Sequence, residues 1–398
     1  MESKSYVLVV GEANNHALRT VEVAAQMAGA ELRHHFSVEA AVEQVARKRP
    51  MALAMALDES TSLEQCTRLR SRVTVPGLAL VGMVHEPTNL LFEEAYSAGV
   101  DDICMVDGRA LGRRLRQVAE APPAEAKDAP RRGQDGRVAV VGHADTTTRM
   151  LIGRVLLDAG YEVRFARDAD QVRAHLEGAK VLIVTSDIET SEEMVLSAQL
   201  RRDGFDGPVI VHTPPKQIGP MRSALHGIPA VVVNDAFSPP ANLLFVANEL
   251  CNRPAVEARE SERLLFGCTV EFRSAGRSNR DIGFMYNMSA GGVYVRTLAP
   301  PPRWEEVWLE FTPPRSDRLV HLEGTAVWTR GFGNNFFATV PSGFGVQLTG
   351  GSERDLVRYG RSYQTFLKER SGVTIETPTE GPTLVQQMAA GMTAPPPC

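Results

Sequence analysis

The chain has 398 residues, 43 of them Lys or Arg and 48 Asp or Glu, with a net charge of −5, 43% apolar residues and 6% aromatic ones. At about 100–200 residues per domain this length implies two to four domains; the apolar content excludes wholesale disorder, and the mild acidity excludes a protein built on non-specific nucleic-acid binding. The five cysteines (Cys66, Cys104, Cys251, Cys268 and Cys398) are scattered and form no CxxC pair, which excludes a disulfide framework or a zinc site and points to a reducing, cytoplasmic setting.

From the N-terminus, Lys4 is followed by only a short apolar run, 6–10, before Gly11, so no secretory leader is expected. The longest apolar runs, 51–57 and 78–84, have seven residues each, against about 20 for a bilayer span. Cys398 is the last residue, not the fourth from the end, and makes no prenylation box.

The first predicted strand, 7–10, belongs to an internal repeat. Residues 7–13 align without a gap on 138–144, and the same offset of 131 places Ala28 and Gly29 on Ala159 and Gly160. In each copy a short apolar run ends in Gly, a helical pattern follows (Met150, Leu151, Val155, Leu156 and Ala159 in the second), and an Ala-Gly stop leads to another strand. Further strands are expected at 51–57 and 78–84, and at 181–184 and 209–211. Alternating buried strands and helices over about 115 residues indicate a doubly wound parallel sheet, twice. The units are expected at 5–118 and 137–252, joined by a Pro-, Ala- and Gly-rich linker at 119–136.

A second boundary falls at 251–255, where Pro254 follows a helical stretch. Beyond it, six short alternating runs (268–272, 282–285, 292–295, 307–311, 320–328 and 344–348) predict a small antiparallel barrel within a unit at 256–370. A last helix starts at Ser352, with Asp355 completing a capping box. It turns Leu356, Tyr359, Tyr363 and Phe366 toward the barrel. Residues 371–398 are polar and Pro/Gly-spaced, and are expected to be disordered.

Residues 137–141, 148–152, 157–163 and 207–213 resemble the receiver domain of bacterial response regulators; 7–10 and 98–103 carry a fainter likeness in the first copy. The family's phosphorylation chemistry needs two acids after the first strand, an Asp ending the third, a Thr or Ser after the fourth and a Lys after the fifth. Here those positions fall on Gly11, Glu12, Ala56, Val81 and near Val106, and on Gly142, His143, Thr185, Thr213 and near Asn234. Without a carboxylate cage neither copy holds magnesium in the usual way, so both are expected to be pseudo-receivers. Asp58 and Asp187 each lie two residues past the acceptor position and keep open a reading as a phosphorylated response regulator. His143, Thr185 and His212 gather at one sheet edge as a second candidate, for a small molecule or metal.

The sharpest motif lies in the third unit: an RxxxR at Arg259 and Arg263, then Asn287, Ser289 and Gly292 in an [Asp/Asn]xSxxG leading into a strand. Their order and spacing resemble the PilZ domain, the bacterial module that binds cyclic di-GMP, over residues 259–364. Two guanidinium groups suit a doubly anionic ligand with two guanines; Asn287 and Ser289 offer short polar groups, and Gly291 and Gly292 a close backbone approach. The resemblance implies a cytoplasmic, non-enzymatic signalling effector with cyclic di-GMP as ligand, no cofactor, protein partners for the receiver-like units, and an output in motility, pili or surface behaviour. No GxGxxG, P-loop, GxSxG or HExxH motif suggests catalysis. The arginines also fit a solvated linker helix among Glu257, Glu260 and Glu262, which leaves open a scaffold that binds no nucleotide.

Overall fold

The computed structural model describes residues 5–57, 60–73, 75, 77–121, 137–190, 195–251, 261–277, 279–333 and 340–371. The expected linker lies almost wholly outside these residues, as do Arg259, Asp58 and all but the first residue of the tail.

The first unit alternates β1 (Tyr6–Val10), α1 (Asn15–Met27), β2 (Glu31–His35), α2 (Val38–Arg47), β3 (Ala52–Ala56), α3 (Ser60–Arg72), β4 (Ala79–Val84), α4 (Asn89–Ser97), β5 (Asp102–Met105) and α5 (Gly108–Glu120). The second runs β6 (Val138–Gly142), α6 (Thr146–Asp158), β7 (Glu162–Ala166), α7 (Ala169–His175), β8 (Val181–Thr185), α8 (Ser186–Glu189), α9 (Leu196–Arg202), β9 (Val209–Thr213), α10 (Ile218–Ala224), β10 (Val231–Asp235) and α11 (Ala241–Cys251). Each sheet is parallel, in the orders β2-β1-β3-β4-β5 and β7-β6-β8-β9-β10. The 131-residue offset carries α1 onto α6 and β2 onto β7 end to end. Its local signals hold in both copies. Asn14 and Asp145 cap their helices by accepting from the amides of Ala17 and Thr148. Gly29 and Gly160 end the helices in the left-handed region, at φ 71° and 87°.

The third unit is a closed antiparallel barrel of β11 (Leu264–Ser274), β12 (Asp281–Ser289), β13 (Gly292–Arg296), β14 (Glu306–Phe311), β15 (Val320–Arg330) and β16 (Gly343–Gly351). All six expected strands are present. The helix α12 (Glu353–Ser371) starts as the capping box implied, with the Asp355 amide donating to Ser352 Oγ at 3.1 Å. Tyr359 and Tyr363 are buried in the barrel core, with Leu356 and Phe366 packed against it.

The three units pack as one body. Ile282 and Phe284 of β12 belong to the core of the first unit, where Phe284 stacks on Phe92 at 5.7 Å. The second unit meets the first through Arg154, which donates to Asp101 at 2.9 Å, while Arg70 pairs with the same carboxylate. It meets the barrel where Tyr286 donates to the Ala241 carbonyl at 2.5 Å.

At the joint of the first unit and the barrel, Arg114 is 0% exposed. It donates to Asp102 at 2.7 Å and to Asp281 at 3.0 Å, with further bonds to the carbonyls of Ala110, Ile103 and Ile282. Arg113 adds two more to Asp281, from Nε at 2.9 Å and from Nη2 at 2.8 Å. Burial pushes the Asp281 carboxyl up, but Arg114 and Arg113 outweigh it and hold it below the usual range. Arg114→Met is expected to destabilise the protein by about 3–5 kcal/mol in urea denaturation, because two carboxylates lose their buried partner. Since the folded Asp281 pKa is depressed, its contribution is full above roughly pH 4 and is lost on acidification. Wild type should therefore lose more stability than Arg114→Met as pH falls through that range.

Candidate functional site

The segment after Arg259 is tied to the hairpin that carries the second motif. Leu264 pairs with Met288 and Leu265 with Asn287, so β11 begins at the residue after Arg263, beside the end of β12 that carries Asn287 and Ser289. The Ala290 amide donates to Ser261 Oγ at 3.2 Å, and Tyr363 Oη donates to the Glu262 carbonyl at 2.8 Å. Tyr359 Oη bonds the Ser289 carbonyl at 2.6 Å and that of Gly292 at 3.2 Å, and Ser289 Oγ donates to Gly292 O at 3.3 Å. The last helix thus holds the hairpin from below while the N-terminal segment lies beside it.

Four of the five expected ligand residues fall within the described residues, and the structure brings them to one end of β11–β13. Arg263 is exposed, and Ser289 and Gly292 are half-buried. Asn287 lies deeper, at 4% exposure, on the bulged stretch of β12. The two glycines serve differently from the expectation: neither has a positive φ. A Cβ on Gly292 would lie 2.5 Å from the backbone oxygen of Val346, whereas one on Gly291 would meet nothing within 4 Å. Gly292 lets β13 close against β16; Gly291 faces open space.

Residues 257–362 match the family model of the PilZ domain. This part of the chain is a PilZ domain. The solved structures that resemble the chain include the Bacillus subtilis inhibitor of motility MotI/DgrA (15% identity, 29% of this chain and 54% of that one, TM-score 0.24). Others are the receiver domain of NtrX from Brucella abortus (19% identity, 29% and 99%, TM-score 0.26) and the PilZ domain of CeSA from a cellulose-synthesizing bacterium (17% identity, 28% and 99%, TM-score 0.20). No curated protein matches the chain. Among the described residues no helix is long and apolar enough to cross a membrane.

The receiver-like units N-terminal to the PilZ domain present their strand ends as follows. Ala56 ends β3 and Thr185 ends β8, where the alignment put the acceptor positions. Val81 is a correction. It lies in the middle of β4, fully buried, because the uniform apolar run 78–84 carries no mark of register; the strand ends at Val84. Thr213 does end β9, and its hydroxyl donates to Gln217 Oε1 at 3.3 Å; Ser186 Oγ donates to the same oxygen at 3.0 Å. Asp187 is exposed on the first turn of α8.

His143 follows β6 and His212 lies on β9, on either side of β8. Burial, then the neighbouring His143, pushes His212 down to about 4, and its Nδ1 lies 3.3 Å from Asn234 Nδ2. Burial likewise lowers His143, whose Nδ1 accepts from the Asp145 amide at 2.9 Å. Both imidazoles are neutral near pH 7, yet no cluster of three His, Cys, Asp or Glu among the described residues could hold a metal.

Two outcomes are expected. Gly292→Ala should cost about 1–3 kcal/mol in denaturation experiments through overpacking, while Gly291→Ala should stay within about 0.5 kcal/mol of wild type. In an NMR titration His212 should take up its proton near pH 4, against an ordinary 6.5. Between those values the unfolded chain binds the proton and the folded one does not, so stability falls on acidification. His212→Asn should remove that slope.

Proposed function

We propose that the protein is a non-enzymatic signalling effector that binds cyclic di-GMP with its PilZ domain, through Arg259, Arg263, Asn287, Ser289 and Gly292. The observation that supports this reading is the PilZ match over residues 257–362, within which the strand after Arg263 pairs with the stretch of β12 that carries Asn287. A planar, permanently charged guanidinium there would reach a phosphate or the O6/N7 edge of a guanine bound over the hairpin. Arg259 would supply the second clamp.

The units at 5–118 and 137–252 act in this proposal as pseudo-receivers, contacting protein partners in the cytoplasm. Gly142 and His143 stand where an acid pair would hold magnesium, and the residues at the ends of β3 and β8 are Ala56 and Thr185. The output, in motility, pili or surface behaviour, rests on the family resemblance. In this proposal the relay is a shift of the second unit against the barrel, which it meets through the Tyr286 bond and the small apolar cluster around Ala241.

Calorimetric titration with cyclic di-GMP tests the reading. Wild type should bind, and deleting a charge-assisted hydrogen bond to the ligand costs about 1.5–3 kcal/mol. The Arg259→Ala/Arg263→Ala variant should therefore bind about 100-fold more weakly or worse. Absence of heat with wild type would leave a scaffold with a PilZ fold. A stable mass adduct after acetyl phosphate and magnesium, abolished in Asp187→Asn, would instead make the second unit a true receiver.

A further inference from the structure

Two arginines are buried where the barrel meets the first unit, and they are treated differently. Arg114 is neutralised by two carboxylates. Arg296, the last residue of β13, is only 8% exposed and has no carboxylate within ion-pair distance among the described residues. Its guanidinium lies 3.6 Å from the centre of the Tyr96 ring, and one nitrogen donates to the Val100 carbonyl at 3.1 Å. Its Nε is buried with no acceptor at all. A buried charge without a counter-ion is costly, and a buried N–H without an acceptor adds to the cost.

Arg296 lines a cleft of about 680 Å³ between the barrel and the two receiver-like units, within the roughly 300–1,000 Å³ range of small-molecule sites. We propose that this cleft is a second ligand site, for a purine nucleoside phosphate, separate from the hairpin of the PilZ domain. The walls carry the needed chemistry. Arg222 on α10 is exposed and has no ion pair among the described residues, so it can join Arg296 on a phosphate. Phe237, 71% exposed in the turn after β10, and Phe266 on β11 offer ring faces for a base. Asp235 and Glu93 offer carboxylate oxygens to the ring N–H or exocyclic amino group of a purine. Because the site is built from all three units, occupancy would fix their mutual arrangement.

The test is calorimetric titration of the full chain with AMP, ATP, GMP and GTP as probes, on wild type and on Arg222→Ala, Phe237→Ala and Arg263→Ala. Arg222 and Phe237 are exposed, so those two variants should keep the fold. At least one probe should bind wild type at one site with sub-millimolar affinity. Arg222→Ala and Phe237→Ala should each weaken it tenfold or more, and Arg263→Ala should leave it unchanged. The proposal is overturned if no probe binds at millimolar concentration, or if Arg222→Ala and Phe237→Ala bind as wild type does. It is also overturned if Arg263→Ala weakens binding as much as Arg222→Ala, which would place the nucleotide at the hairpin. Cyclic di-GMP titrated into the same variants reports on the hairpin separately, so either reading can fail alone.

Discussion

The joint between the first unit and the barrel depends on the fully buried guanidinium of Arg114, held between Asp102 of its own unit and Asp281 of the barrel. Asp102 also accepts from Thr297 Oγ1 at 3.1 Å and from the Leu298 amide at 2.6 Å. One carboxylate thus fixes the chain that leaves β13, and one guanidinium fixes the start of β12. Removing these charges from water is costly and is offset only when every partner is in place. Neither unit can give up the other without exposing or stranding a charge. The apolar packing agrees: Ile282 and Phe284 point out of the barrel and fill the first unit's core. The PilZ domain completes that core.

Much of this fold was legible from the chain because its signals are local. The repeat, the Ala-Gly stops, the alternation of the barrel strands and the Ser352–Asp355 box each rest on short stretches of neighbouring residues. The ionic joint was not legible, since it links residues about 170 apart in an arginine-rich chain. Periodicity does not mark which of 43 basic residues is buried.

The same division runs through the candidate site. Two motifs in order, separated by a strand pair, were enough to bring the segment after Arg263 alongside the hairpin of the second motif, because antiparallel register does the rest. The burial of Asn287 depends on the bulge in β12 and was invisible. The glycines of the second motif looked alike in sequence, yet only Gly292 has a backbone oxygen of the neighbouring strand against it. Val81 was misplaced for the opposite reason: a run buried on both faces has no alternation to set its register.

β13 joins the two candidate sites physically. It begins at Gly292 in the hairpin motif and ends at Arg296 in the cleft, a distance of about 13 Å at a strand's rise per residue. It is hydrogen-bonded on both sides, to β12 and β16, and its middle residues Val293 and Val295 are buried in the barrel core. Such a strand is stiff along its axis, so a displacement at Gly292 is carried to Arg296 rather than absorbed between them. At that end the first unit is fixed by the Arg114 cluster. The second unit, facing Arg296 across the cleft, is held to the barrel by the Tyr286 bond and a small apolar cluster around Ala241. The second unit is also tied to the first through Arg154 and Arg70 on Asp101, so in this proposal a ligand at either site acts on the contact of the second unit with the barrel, made by the Tyr286 bond and that apolar cluster.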